Sequence, residues 1–281
     1  MKAKTFDRRW IFLSMGLVVF VFLKLPVQLP FLPTPESKGF YQAVQEIPPG
    51  SIVYLSADYG PSTVAEIFPM HTGIVYQLLR RDAKIISGSV WDTGPPMIDR
   101  AHEVATAWLA EEGIEKQYGV DYVNLGYKAG YDVAVAKIGA SIPEAFPKDY
   151  RGNRVQDLPI MEGVSSFKDV VLLCNFSSGT PGTRQWLQQV QTRYDVRLIA
   201  GVTAVMAPDL YSFFQSGQIE GFLGGLVGAA EYEFLLDRPG TAMAGMTVQS
   251  LAHFLILGFI LVGNAMYFRR RWRARSEKEQ S

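Results

Sequence analysis

Cysteine and histidine are scarce in this chain. Its 281 residues hold one cysteine, Cys174, and three histidines, His71, His102 and His253. A lone cysteine excludes an intrachain disulfide, so stability must come from packing. The histidines lie far apart, and His102-Glu103 does not continue into a zinc-binding HExxH helix. No metal and no cofactor is expected. Excess charge of either sign is missing too. Lys and Arg number 27 and Asp and Glu number 27, a balance that argues against a nucleic-acid partner. The phosphate-binding patterns GxGxxG and GxxxxGK[ST] are absent, as is a glycine-flanked nucleophile elbow. There is no long internal repeat and no low-complexity tract. No catalytic set is legible.

Two apolar runs stand out instead, one inside each end. Val248 to Phe268 is 21 residues without a formal charge, followed at once by Arg269, Arg270, Arg271, Arg273 and Arg275. About 20 apolar residues suffice for a helix to cross the hydrocarbon core, and 246–268 is expected to do so. Tyr267 and Trp272 suit an interfacial belt. His253 lies inside this run, where an ionisable group is costly. The first run is less clean. Trp10 to Leu23 is continuous over 14 residues, and Leu25 to Leu32 adds apolar length broken by Pro26 and Pro30. Residues 10–32 read as an uncleaved signal anchor, since no small-x-small site follows Leu23; a cleaved signal peptide is the alternative. Lys2, Lys4, Arg8 and Arg9 precede the first run, and the arginine cluster follows the second. By the positive-inside rule both termini (1–9 and the basic tail 269–281) are cytoplasmic. The centre is then periplasmic or extracellular.

Residues 33–50 read as a linker punctuated by prolines, with a short helix near Phe40 to Gln45. The outward domain is expected over 51–240. Five short apolar runs predict buried strands: Ser51–Ala57, Lys84–Val90, Asp121–Tyr127, Asp169–Phe176 and Val196–Thr203. Helices are predicted over Thr63–Arg81 (bent or broken at Pro69), Asp99–Tyr118, Tyr131–Ile138, Pro181–Tyr194 and Pro208–Gln215. Thr180 is the expected N-cap of the fourth. This alternation predicts an α/β fold. Its sheet is five-stranded, mostly parallel and doubly wound, flavodoxin/Rossmann-like with the flavodoxin order favoured. A transmembrane helix flanks it at each end. Ser141–Gly163 reads as a long surface excursion. Gly217–Leu236 reads either as a last helix packed on the sheet or as a contact surface. Gly221, Gly224, Gly225 and Gly228 are the interface candidates.

Ligands of open α/β sheets bind beyond the carboxyl ends of the strands. The candidate ligand-binding residues there are Asp58, Asp92, Lys128, Ser177, Ser178, Thr180 and Thr183. The turn at Ser177–Thr183 offers small hydroxyls and free amides that suit a small anion, with Lys128 nearby. The same residues also serve an ordinary tight turn. Asp58 and Asp92 follow neighbouring strands and could share acid–base work or cap their helices. Cys174 lies within an apolar strand and reads as a small hydrophobe. Asn175-Phe176-Ser177 matches a glycosylation sequon at a strand end.

The expectation is a membrane-anchored, non-enzymatic α/β module. It binds a partner protein or assembles, as homo- or hetero-oligomer, into a membrane complex, with a small anionic ligand possible at the strand ends. A membrane-bound hydrolase or transferase using the same polar cluster is the alternative.

Overall fold

Ile52–Asp58 (β1) is buried along nearly its whole length, as a strand covered on both faces must be. Its neighbours are equally apolar: Lys84–Ser89 (β2), Tyr122–Tyr127 (β3), Leu172–Ser177 (β4) and Arg197–Val202 (β5). All five expected strands are present. A sixth, Gly221–Gly224 (β6), joins them, and every pairing is parallel in the order β3-β2-β1-β4-β5-β6. This corrects both the strand count and the flavodoxin order. It is the doubly wound arrangement in which strand order reverses between β1 and β4.

These facts come from a computed structural model that describes residues 8–24 and 32–279. The chain divides into two units, Phe31–Met243 and a second made of Met1–Pro30 with Ala244–Ser281. The first is the α/β domain. Its helices are Pro35–Gln45 (α2), Val64–Arg80 (α3), Gly94–Glu111 (α4), Tyr131–Ala140 (α5), Ile142–Ala145 (α6), Thr183–Trp186 (α7), Thr192–Tyr194 (α8), Ala207–Gln215 (α9) and Gly225–Leu235 (α10). A π-helical turn, Leu187–Gln191, joins α7 to α8. Helix α3 runs through Pro69 rather than breaking there.

Alternation along β1 assigns the two faces. Phe176 of β4 stacks on His71 of α3, while Tyr54 of β1 packs against Trp186 of α7 and Phe167. The Trp186 face carries a continuous buried cluster that includes Ile86, Val123, Val135, Leu173 and Leu198. Ile142, Phe146, Val155 and Ile160 belong to it as well. The Ser141–Gly163 stretch is therefore core on its inner side rather than a loose excursion. Its chain folds back through two 3-10 turns, Val155–Asp157 and Pro159–Met161.

The stretch read as a linker is a docked helix. Thr34 caps α2 by accepting from the Ser37 N–H, and Phe40, Ala43 and Val44 of that helix are buried. Gly39 and Gly221 let α2 and β6 meet backbone to backbone, since a Cβ on Gly221 would collide with Phe40. The sixth strand escaped the sequence reading because it is four residues long and half glycine, a composition that disfavours strands.

In the second unit, Arg8–Lys24 (α1) is a helix of 17 residues. Residues 25–31, the rest of the expected signal anchor, lie outside the described residues. Thr241–Glu279 (α11) is a long helix, and its part Thr241–Arg269 is long and apolar enough to cross a membrane. None of its apolar window is buried within the protein, so core packing does not account for its composition. Among the described residues it is the one helix that meets this length and hydropathy; α1 falls short.

Candidate functional site

Asp58 closes β1 and is fully buried, facing the same side as Tyr54 and Ser56. Its Oδ2 accepts hydrogen bonds from Ser56 Oγ (2.8 Å), Asn175 Nδ2 (2.8 Å) and Trp186 Nε1 (2.7 Å). Its Oδ1 accepts from the Val90 backbone N–H at 2.9 Å. One carboxylate thus ties β1 to β4, to the turn after β2 and to α7. Burial pushes its pKa up from 3.8 to about 6, even though the Val90 N–H, Ser56, Trp186 and Asn175 all favour the charged form.

The network continues across β4. Thr183 Oγ1 donates to Asn175 Oδ1 at 2.7 Å and lies 3.1 Å from Ser177 Oγ. Ser177 and Thr183 are buried, and these bonds engage both hydroxyls. The Ser178 N–H donates to the Asp58 carbonyl at 3.2 Å. Helix α7 begins at Thr183 after Gly182, not at Pro181, and Gln185 Oε1 accepts from the Gly182 N–H at 2.9 Å. Thr180 is therefore not the N-cap. Asn175 of the sequon is buried in the network, so its amide is closed to modification in the folded domain.

Above this floor lie two clefts at the carboxyl edge of the sheet. One, of about 370 Å³, is lined by Val90, Trp91, Asp92, Tyr127, Gly130, Tyr131, Thr180 and Pro181. It runs from the turns after β2 and β3 on one side to the turn after β4 on the other, and so straddles the point where strand order reverses. The second, of about 260 Å³, lies between the turns after β4 and β5. Thr180, Thr183, Arg184, Gln185 and Asp209 are among its walls.

The first cleft is walled by aromatic residues held in place from below. Trp91 Nε1 donates to the Pro181 carbonyl at 2.9 Å, which pins the indole across the β4 turn. Ser89 Oγ accepts from the Trp91 N–H at 2.9 Å and lies 2.8 Å from the Ala57 carbonyl, fixing the turn itself. Tyr127 and Tyr131 are 44% and 69% exposed, so their rings are open to solvent at the cleft. Tyr131 adopts φ +49°, the left-handed region, directly after Gly130 at φ +131°. Three aspartates share that region, where a short polar side chain bonds its own backbone; a tyrosine has no such recourse.

The sequence candidates thus fall into separate places. Asp92 and Thr180 share the first cleft, and Thr180 and Thr183 share the second. Asp58 and Ser177 lie beneath, as framework. Lys128 and Ser178 line neither cleft. The aromatic wall formed by Trp91, Tyr127 and Tyr131 was missed; the signal was exposed-type residues flanking a strand end that also carries Gly130. The interface glycines are engaged inside the domain. A Cβ on Gly224 would come within 2.7 Å of Ala207 Cβ, on Gly225 within 2.6 Å of Ala204 Cβ, and on Gly228 within 2.9 Å of the Leu223 backbone.

The remaining titratable groups lie away from the clefts. His71 Nδ1 pairs with the Tyr59 hydroxyl at 2.9 Å, and His102 Nε2 with Ser87 Oγ at 3.1 Å. Both histidines are buried, and burial holds His71 well below its ordinary pKa and His102 down to about 3, so both are neutral. The Ser87–His102 pair has the chemistry of a nucleophile and base but no path to a substrate. Cys174 is buried, and burial raises its thiol pKa well above the usual value. Among the described residues no group of His, Cys, Asp and Glu could hold a metal ion. No protein-family model, curated protein or solved structure matches the chain.

Proposed function

We propose that this chain is a membrane-tethered binding module whose α/β domain receives a small ligand at the carboxyl edge of its sheet. The carrying observation is the aromatic-walled cleft of about 370 Å³ across the strand-order reversal, the place where open α/β sheets take their ligands. The hydroxyls beside it favour binding over catalysis. Ser177 and Thr183 are bonded to each other and Thr183 to Asn175, so neither is paired with a base. The first cleft carries Asp92 and no cationic side chain, so the expectation of an anion does not extend to it. The membrane tether is α11, and the basic residues at both ends favour cytoplasmic termini with the domain outside. In this topology α1 is a signal anchor.

Native mass spectrometry of the protein gently extracted from its own membrane tests this reading. A small adduct lost on mutation of Trp91 supports it. A mass raised by added polypeptide, with no small adduct, favours the assembly reading instead. For topology, external trypsin should cut at the exposed Arg154 in spheroplasts while a tag on the C-terminal tail survives. The reverse pattern overturns the orientation.

A further inference from the structure

From the lining of the first cleft we infer that it binds a quaternary ammonium group. This deepens the reading of that cleft as the ligand site and rests on it. Three aromatic side chains, Trp91, Tyr127 and Tyr131, line one small space together with a single carboxylate, Asp92. No Lys, Arg or His is among the lining residues. An aromatic face is electron-rich and attracts a cation, and a carboxylate adds charge without asking for geometry. A trimethylated ammonium offers no N–H and needs no hydrogen bond, so it loses little by leaving water for such a wall.

The competing ligand classes fit less well. An anion would meet Asp92 with nothing to offset it. A polyol could donate to Asp92 but would bring no charge to meet it, and the Trp91 N–H is already given to the Pro181 carbonyl. The cleft volume of about 370 Å³ sits at the small end of the ~300–1,000 Å³ common for ligand sites, which suits a compact head group. The strained backbone at Tyr131 gives a further pointer. The fold holds a large aromatic in the left-handed region at the rim, where Asn or Gly would be easier, and leaves it 69% exposed.

The test titrates the full-length protein in detergent with choline and with its neutral isostere 3,3-dimethylbutanol, following heat and tryptophan fluorescence. Choline is expected to bind saturably and the isostere at least several-fold more weakly. Asp92→Asn and Tyr131→Asn should each weaken choline roughly 3- to 30-fold. Both positions are exposed, and asparagine tolerates the backbone at 131, so both variants should keep the wild-type melting temperature or better it. A second arm uses vesicles of phosphatidylcholine against vesicles of phosphatidylglycerol. Choline-lipid vesicles competing with free choline assign the group to a lipid head; free choline binding without such competition assigns it to a soluble molecule. Equal binding of choline and its isostere overturns the ammonium assignment. So does saturable binding of maltose or adenosine with no response to choline, although the cleft reading then stands. No response to any of these probes overturns the ammonium assignment as well, and an adduct seen by native mass spectrometry would then keep the cleft reading alone.

Discussion

Replacing Asp58 by alanine should remove much of the domain's stability without touching either cleft directly. The carboxylate is fully buried and accepts from four donors: Ser56 Oγ, Asn175 Nδ2, Trp186 Nε1 and the Val90 N–H. Each orphaned buried donor costs about 1–3 kcal/mol. Against this, the wild type holds a buried charge whose pKa is raised from 3.8 to about 6, a burden of roughly 3 kcal/mol at neutral pH that alanine relieves. Four orphaned donors less that relief leave a net loss of about 1–9 kcal/mol, a large share of the ~5–15 kcal/mol typical of a domain. Asparagine behaves differently. Its carbonyl can take the three donors on Oδ2, leaving its amide against the Val90 N–H. One lost bond of ~1–3 kcal/mol is offset by the relieved charge, so Asp58→Asn should be near neutral at pH 7. It should also flatten a pH dependence. Between pH 3.8 and about 6 the folded wild type keeps a proton on Asp58 that the unfolded chain has released. This group's contribution therefore falls as pH rises through that window, and the wild type's advantage over Asp58→Asn should shrink with it, from its largest value near pH 4 to near zero at pH 7. The assay is urea unfolding of the full chain in detergent, followed by the fluorescence of Trp186 and its fellow tryptophans, at pH 4, 5, 6 and 7. An Asp58→Ala variant within ~0.5 kcal/mol of wild type at pH 7 would refute the reasoning.

Tyr131→Asn should stabilise the domain by up to about 1 kcal/mol, because asparagine relieves the left-handed backbone; a lowered melting temperature would show that the tyrosine ring packs usefully in the free protein. Gly221→Ala should cost about 1–3 kcal/mol or prevent folding, since its Cβ would run into the Phe40 backbone and neither element can yield; an unchanged urea midpoint would mean that α2 is not docked. Glu233 accepts from the Gly240, Ala242 and Met243 N–H groups at 3.0, 3.1 and 2.8 Å and so caps the start of α11. Glu233→Ala should cost about 1–2 kcal/mol and speed hydrogen exchange at those three amides; unchanged exchange would remove it as the cap.

Strands were legible because burial on both faces writes itself as unbroken apolar runs. SIVYLSA and DVVLLCNF have no other reading in a chain of this kind. Strand order was not legible, since nothing local distinguishes a crossover that goes left of β1 from one that goes right. The sixth strand was hidden by Gly221 and Gly224, residues chosen for close approach to α2 and α9 rather than for β propensity. The glycine spacing read as a candidate interface brings backbones close within the chain. At the site, Asp58 and the Ser177–Thr183 turn were found by their position at strand ends, but sequence could not separate floor from wall. Burial does so: Asp58, Asn175, Ser177 and Thr183 face inward, whereas Asp92 and Tyr131 face solvent. Membrane attachment was read from composition, and the length of α11 agrees with it. The shorter α1 shows that apolar character without length leaves a span unassigned.

The central claim is that the carboxyl edge of the sheet is a ligand site. A hydrogen–deuterium exchange map of the full chain, recorded with and without the small-molecule extract of its own membrane fraction, tests this most directly. The account predicts protection concentrated in the turns at 90–93, 127–132 and 178–183, and its loss in Tyr131→Asn. Protection confined to other surfaces, with these three turns unchanged, would contradict it.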